Sequence, residues 1–177
     1  PPAAPSVSGG REVVLLVDTF NTYFEPENAR AAVKVLEAAG YTVHMPRAVD
    51  GARPLCCGRT FLASGLVDEA RREAQRMIAA LGPYVARGVP VIGLEPSCLF
   101  TLRDEFLSML PAGEAEPLAQ QAMLFEEFIA REHDAGRLQL KLKALPQAKA
   151  LLHGHCHQKA FAAMPAVRKV LALVPGL

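Results

Sequence analysis

Residues 11–18 read Arg-Glu-Val-Val-Leu-Leu-Val-Asp, and residues 89–94 read Val-Pro-Val-Ile-Gly-Leu. Both are short apolar runs rich in branched side chains, the pattern of a strand buried on both faces. Helical signals follow the first. Pro26-Glu27-Asn28 sets a proline and an acid at a helix start, where a missing N–H is harmless and the dipole favours negative charge. Ala32, Val35, Leu36 and Ala39 continue at helical spacing, and Gly40 closes the element. Residues 41–45 (Tyr-Thr-Val-His-Met) alternate and read as a second strand. An amphipathic helix then carries Leu66, Ala70, Ala74, Met77, Ile78 and Leu81 on one face, ahead of the strand at 89–94.

Further along, the sequence predicts a helix over 99–110, a break at 111–117 and a longer helix over 118–132. Residues 138–142 (Leu-Gln-Leu-Lys-Leu) alternate as a short edge strand. Residues 148–152 lead into His153-Gly-His-Cys-His157, and a last helix is expected over 161–173, its start left open by Pro165. Strands alternating with helices predict βαβ units, hence an α/β fold with a parallel, Rossmann-like sheet and helices on both faces. Such sheets collect ligands outside the carboxyl ends of their strands. All four cysteines fall at predicted strand ends or in the loops that follow them.

Composition narrows the function. About half of the 177 residues are apolar (51%), enough for a real core, and 19 basic residues offset 18 acidic ones to a net charge of +1. With no basic stripe, nucleic acid is not an expected partner. No apolar run approaches the ~20 residues of a transmembrane segment. Residues 1–10 (Pro-Pro-Ala-Ala-Pro-Ser-Val-Ser-Gly-Gly) lack the pattern of a signal peptide and read as a linker. Two of the cysteines, Cys56 and Cys57, are adjacent, a poor geometry for a disulfide. Reduced thiols in a cytoplasmic setting, used as metal ligands, fit the pattern better than a secreted disulfide framework.

The chemistry-bearing side chains fall in three groups. In Cys56-Cys57-Gly58, two neighbouring thiolates can serve one polynuclear metal centre, and the glycine permits a sharp turn; the plainer reading is two buried small residues. Cys98 precedes a helix, where a thiol is readied for metal or nucleophilic work, and it too can be an ordinary core cysteine. Glu95 can point into the same pocket or simply begin the helix. His153, His155, Cys156 and His157 concentrate ligand-type side chains that a core does not explain, whereas His44 and His133 stand alone and read as surface or strand-face residues. A thiolate–imidazolium pair of Cys98 or Cys156 with His155 lacks any surrounding protease or transferase signature. A zinc site from Cys and His lacks the usual knuckle spacing but remains the colourless alternative.

The order Cys-Cys-Gly, Pro-Ser-Cys, then Gly-His-Cys-His-Gln-Lys-Ala resembles the cysteine-rich (CCG) domain family, which includes the heterodisulfide reductase B subunit and the iron–sulfur subunit of glycolate oxidase. The closer likeness is to the C-terminal region of bacterial FAD-linked oxidases similar to D-lactate and D-2-hydroxyglutarate dehydrogenases. It is carried by residues 17–26, 53–60, 93–98 and 153–160 and covers the chain from about residue 11 onward. The resemblance implies an iron–sulfur cluster of 4Fe–4S type with Cys56, Cys57, Cys98 and Cys156 as ligands, and with His155, His157 and Glu95 as further candidate members of the metal site. It implies a first repeat over 11–147, including a helical linker, and a truncated second repeat beginning at 148–177, since the strand at 13–19 can be laid on 150–156. Thr19 stands where the first repeat would have its lone cysteine, and Glu95 where a partner of Cys98 could be. The implied function is electron transfer from FAD, bound outside this chain, to a quinone or redox protein, beside flavin-binding and ferredoxin-type domains. The implied location is cytoplasmic, at most peripheral to the inner membrane, and the isolated piece is expected to dehydrogenate nothing. Two other readings stand beside it: a structural zinc-binding or metal-free docking module, and a quinone or thiol–disulfide reductase site.

Overall fold

The computed structural model describes residues 11–146 and 149–177. Four parallel strands form one sheet in the order β2-β1-β3-β4, with ten helices around it among the described residues. The expected α/β architecture is therefore the observed one. The strands are β1 (Arg11–Leu16), β2 (Tyr41–His44), β3 (Val91–Gly93) and β4 (Ala122–Leu124). β1 lies at the centre, pairing Val13 with Val43 on one side and Leu15 with Ile92 on the other.

Alternation along β1 sends side chains to two separate cores. Val14 and Leu16 join Val91 against α4 (Val67–Val85), α5 (Pro96–Arg103), α6 (Glu105–Met109) and α7 (Glu116–Gln121), through Met77, Leu81, Phe100, Phe106 and Leu118. Val13 and Leu15 join Ile92 against α2 (Pro26–Ala38) and α8 (Phe125–Asp134), through Leu36, Phe128 and Ile129. Both faces are covered, which explains why the strands read as unbroken apolar runs.

Three short helices complete the frame at the carboxyl edge of the sheet: α1 (Thr19–Tyr23), α3 (Arg59–Ala63) and α9 (Cys156–Ala160). Asp18 caps α1, accepting from the backbone N–H of Phe20 and Asn21 at 2.9 and 3.0 Å. The last helix, α10 (Met164–Ala172), begins at Met164 rather than at 161, with Pro165 in its first turn where a proline is tolerated. α10 packs on α8, and Ala163 and Val167 are buried, so the end of the chain belongs to the same packed body.

Other expectations differ from the structure. The helix expected over 118–132 is cut by β4, whose Ala122 and Leu124 are buried while it pairs with β3. Three residues are too few to show a strand period against flanking helical signals. Residues 138–142 form no strand; Leu138 and Leu140 pack on the α2/α8 core, so the apolar side of the alternation finds helices rather than a sheet edge. The helix expected over 99–110 starts at Pro96 and breaks at Asp104. Residues 149–155 carry no regular structure, and Leu151 is fully exposed. The expected linker at 1–10 and the expected repeat boundary at 147–148 lie outside the described residues.

The opposite edge is fastened by a polar network. Glu132, 5% exposed at its side chain, accepts from Tyr41 Oη at 2.6 Å and from Arg137 at 2.7 and 2.8 Å. The Arg137 hydrogen bonds, helped by Tyr41, outweigh burial and hold the Glu132 carboxyl at about 2. Burial and then the Glu132 hydrogen bond push the Tyr41 phenol up to about 12. A carboxyl whose folded pKa lies below its unfolded value stabilises the fold above the unfolded pKa and loses that contribution as pH falls through the folded one. At neutral pH the contribution is roughly 3 kcal/mol. We expect Glu132→Gln to be less stable than wild type by that order at pH 7, with the gap closing between about pH 4.5 and 2. Urea unfolding at a series of pH values reads it directly.

Candidate metal centre

The segment 50–58 leaves β2 and carries the cysteine pair across the top of α4. It is held by charge. Glu73 of α4, nearly inaccessible at 1%, pairs with Arg53 at 2.5 Å and with Arg76 at 2.8 Å. Arg76 also reaches Asp50 at 2.7 Å and the Arg53 carbonyl. Leu55 and Cys57 point into the α4 core, while Cys56 is half-buried. Gly58 ends the segment at φ +78°, a left-handed turn, and presses against α4. Its backbone N–H lies 3.4 Å from Cys56 Sγ.

The thiols of Cys56, Cys57 and Cys98 form a chain of neighbours, with Cys57 in the middle. The hydrogen bond with Cys57, then burial, raises the Cys56 thiol. For Cys57, the Cys56 hydrogen bond lowers the value, but the bond to Cys98 and burial prevail and push it up to about 12. Both are thiols at neutral pH in this state; a bound cation would supply the charge that releases their protons.

Cys98 lies in the first turn of α5, close behind the end of β3. Glu95 caps that helix, accepting from Cys98 N and Ser97 Oγ at 2.6 Å each. Burial raises the Glu95 carboxyl, but the Ser97 and Cys98 hydrogen bonds outweigh it and hold it below the usual range. Its other oxygen faces His155 Nε2 at 4.0 Å. The same glutamate thus starts the helix and looks into the site.

His155-Cys156-His157 opens α9. His155 is the N-cap, and the ligand-type atoms of the three residues lie within 4.8 Å of one another. Hydrogen-bond direction assigns their lone pairs. The His157 backbone N–H donates to His155 Nδ1 at 3.1 Å, so that nitrogen is an acceptor. Arg59 Nη2 lies 2.8 Å from His157 Nε2; a guanidinium only donates, so that nitrogen is also an acceptor. Each neutral ring has one lone pair, and both are engaged. The free donor of the trio is Cys156 Sγ, exposed, 3.9 Å from His155 Nδ1 and 3.7 Å from His157 Nδ1.

The three motif stretches therefore meet at the carboxyl edge of the sheet. Arg59, directly after Cys-Cys-Gly, reaches His157; Glu95, beside Cys98, reaches His155; and Phe100 of α5 stacks on Phe161 after α9 at 4.3 Å and 6°. Among the described residues, the ligand-type atoms that lie together as one compact group are those of His155, Cys156 and His157. A zinc site using both imidazoles would have to displace Arg59 and a backbone N–H. Thr19, at the position where the resemblance expects a lone cysteine, begins α1 at this same edge. His153 is exposed; His44 pairs with Glu12 at 2.8 Å and packs on Tyr84, and His133 sits near Asp134 in α8, both away from the site. Sequence reasoning assigned no role to Arg59, because nothing in a lone arginine announces a partner so far along the chain.

The chain is 29% identical over 167 residues to the C subunit of the anaerobic glycerol-3-phosphate dehydrogenase of Escherichia coli K12, and equally to that of strain O157:H7; the alignment covers 94% of this chain and 40% of theirs. It is 29% identical over 153 residues to lactate utilization protein A of Bacillus velezensis, covering 82% of this chain and 56% of that one. The chain thus spans about half the length, or less, of the curated relatives it matches. No family model matches it, and no solved structure does. No helix among the described residues is long and apolar enough to cross a membrane.

Proposed function

We propose that this chain is the iron–sulfur electron-transfer part of an FAD-linked 2-hydroxy-acid dehydrogenase of the D-lactate, glycolate or D-2-hydroxyglutarate type. The observation that carries the reading is the meeting of the three motif stretches at one sheet edge: Arg59, after Cys56-Cys57-Gly58, reaches His157 beside Cys156, and Glu95, beside Cys98, faces His155. Relatives named as part of a dehydrogenase and as a lactate utilization protein support a role beside a catalytic partner. Cys56, Cys57, Cys98 and Cys156 would hold the centre, which when bound supplies one-electron chemistry. Glu95 orients the Cys98 amide, and His157 Nδ1 faces the Cys156 sulfur at 3.7 Å. The division at 147–148 then separates a first cysteine-rich repeat from the start of a second. Flavin-binding and ferredoxin-type domains lie outside this chain, and a quinone or redox protein takes the electrons, in the cytoplasm or at the inner membrane face.

The test is iron and acid-labile sulfide analysis of protein purified without oxygen. Wild type should carry both, with broad visible absorption, and Cys98→Ser or Cys156→Ser should lose most of it while retaining the fold by circular dichroism. Zinc, or no metal, in folded wild type would instead indicate the structural or docking module. Thr19 and the engaged imidazole lone pairs define that second reading, since each removes a ligand from a full set.

A further inference from the structure

Arg59 makes three contacts that agree on its orientation. Nη1 donates to Glu105 of α6 and lies 3.3 Å from Thr101 Oγ1, and Nη2 points at His157 Nε2 at 2.8 Å. Thr101 Oγ1 donates its own proton to the Ser97 carbonyl at 2.7 Å, so it too presents a lone pair to the guanidinium. Glu105 anchors the cation, and both side chains are mostly covered, with exposures of 30% for Arg59 and 25% for Glu105. A guanidinium has no acceptor atom and keeps its charge. Facing it, His157 presents the lone pair of Nε2, which places the ring proton on Nδ1. Nδ1 is the nitrogen that faces Cys156 Sγ, at 3.7 Å.

The geometry points to Arg59 as a positioning residue that fixes His157 in its Nδ1–H tautomer, making the imidazole a hydrogen-bond donor to the Cys156 sulfur and not a metal ligand. The device links two motif stretches: the residue after Cys-Cys-Gly dictates what the sulfur of Gly-His-Cys-His receives. Its consequence rests on the electron-transfer reading. N–H donors withdraw charge from a ligating sulfur and favour the reduced state of a centre bound there, so Arg59 would raise its potential.

The tautomer can be read on the chain without any metal. Long-range proton–nitrogen correlation spectra of protein labelled with nitrogen-15 histidine should show His157 as Nδ1–H. Arg59→Met should convert it to the Nε2–H form, and Arg59→Lys, which keeps a cationic donor, should restore Nδ1–H. An Nε2–H pattern for His157 in wild type overturns the assignment, even if Arg59→Met fails to fold; an unchanged Nδ1–H pattern in folded Arg59→Met does the same. Failure to find iron would remove the electron-transfer reading and leave this tautomer result untouched.

Discussion

Phe100→Ala is expected to lower the unfolding free energy by about 3–5 kcal/mol. Phe100 is wholly buried, among the largest side chains of the α4/α5 core, and its ring is stacked on Phe161. Deleting it removes the transfer free energy of the ring and leaves a cavity between helices that cannot collapse without moving the sheet. The stack also links α5, which carries Cys98, to the C-terminal end of α9, whose first residue is Cys156. The loss should therefore be double: a lower denaturation midpoint, and a Cys156 segment that exchanges its amide hydrogens faster than the rest of the variant. A drop below about 1 kcal/mol would mean that α9 is not held by this contact.

Gly58→Ala should cost about 2–4 kcal/mol, through strain and close contact together. At φ +78° any side chain is disfavoured, by about 1–2 kcal/mol. An added Cβ would also lie 3.0 Å from the Ala70 carbonyl oxygen, 3.1 Å from Ala70 Cα and 3.2 Å from Glu73 Cβ. Two of these are backbone atoms of the longest helix, which cannot step aside, so the segment bearing Cys56 and Cys57 must lift. Gly51 supplies the control: its φ is +64°, with open space around it. Gly51→Ala carries only the conformational strain, about 1 kcal/mol. The difference between the two midpoints isolates the approach of the cysteine segment to α4, and equal losses would show that no such approach limits it.

The elements with a strong period were legible from the residues. β1 and β3 announced themselves as buried runs, α2 and α4 by their apolar faces, and α2 also by its proline start. The order of those elements implied a parallel sheet, and ligand-type residues at strand ends marked the edge where the three motif stretches meet. What the residues could not reveal was set by tertiary partners. β4 is three residues long and exists because Val91–Gly93 offers an edge to pair with. The alternating segment at 138–142 met helices where a sheet edge was expected. In the site, residue types were visible but lone-pair ownership was not. The three histidines and one thiol of 153–157 read as a ligand cluster, whereas Arg59 and the His157 amide occupy both imidazole acceptors of the compact trio. Glu95 read as either a helix start or a site member, and it serves as the cap of α5 while facing His155.

The central claim is that this sheet edge carries electrons, and a potentiometric titration followed by visible absorption tests it most directly. Protein purified without oxygen should bleach on reduction and recover its colour on reoxidation, in a reversible one-electron step that is absent from Cys156→Ser. A colourless protein holding zinc or no metal, or bound iron whose absorption does not follow the applied potential, would contradict it.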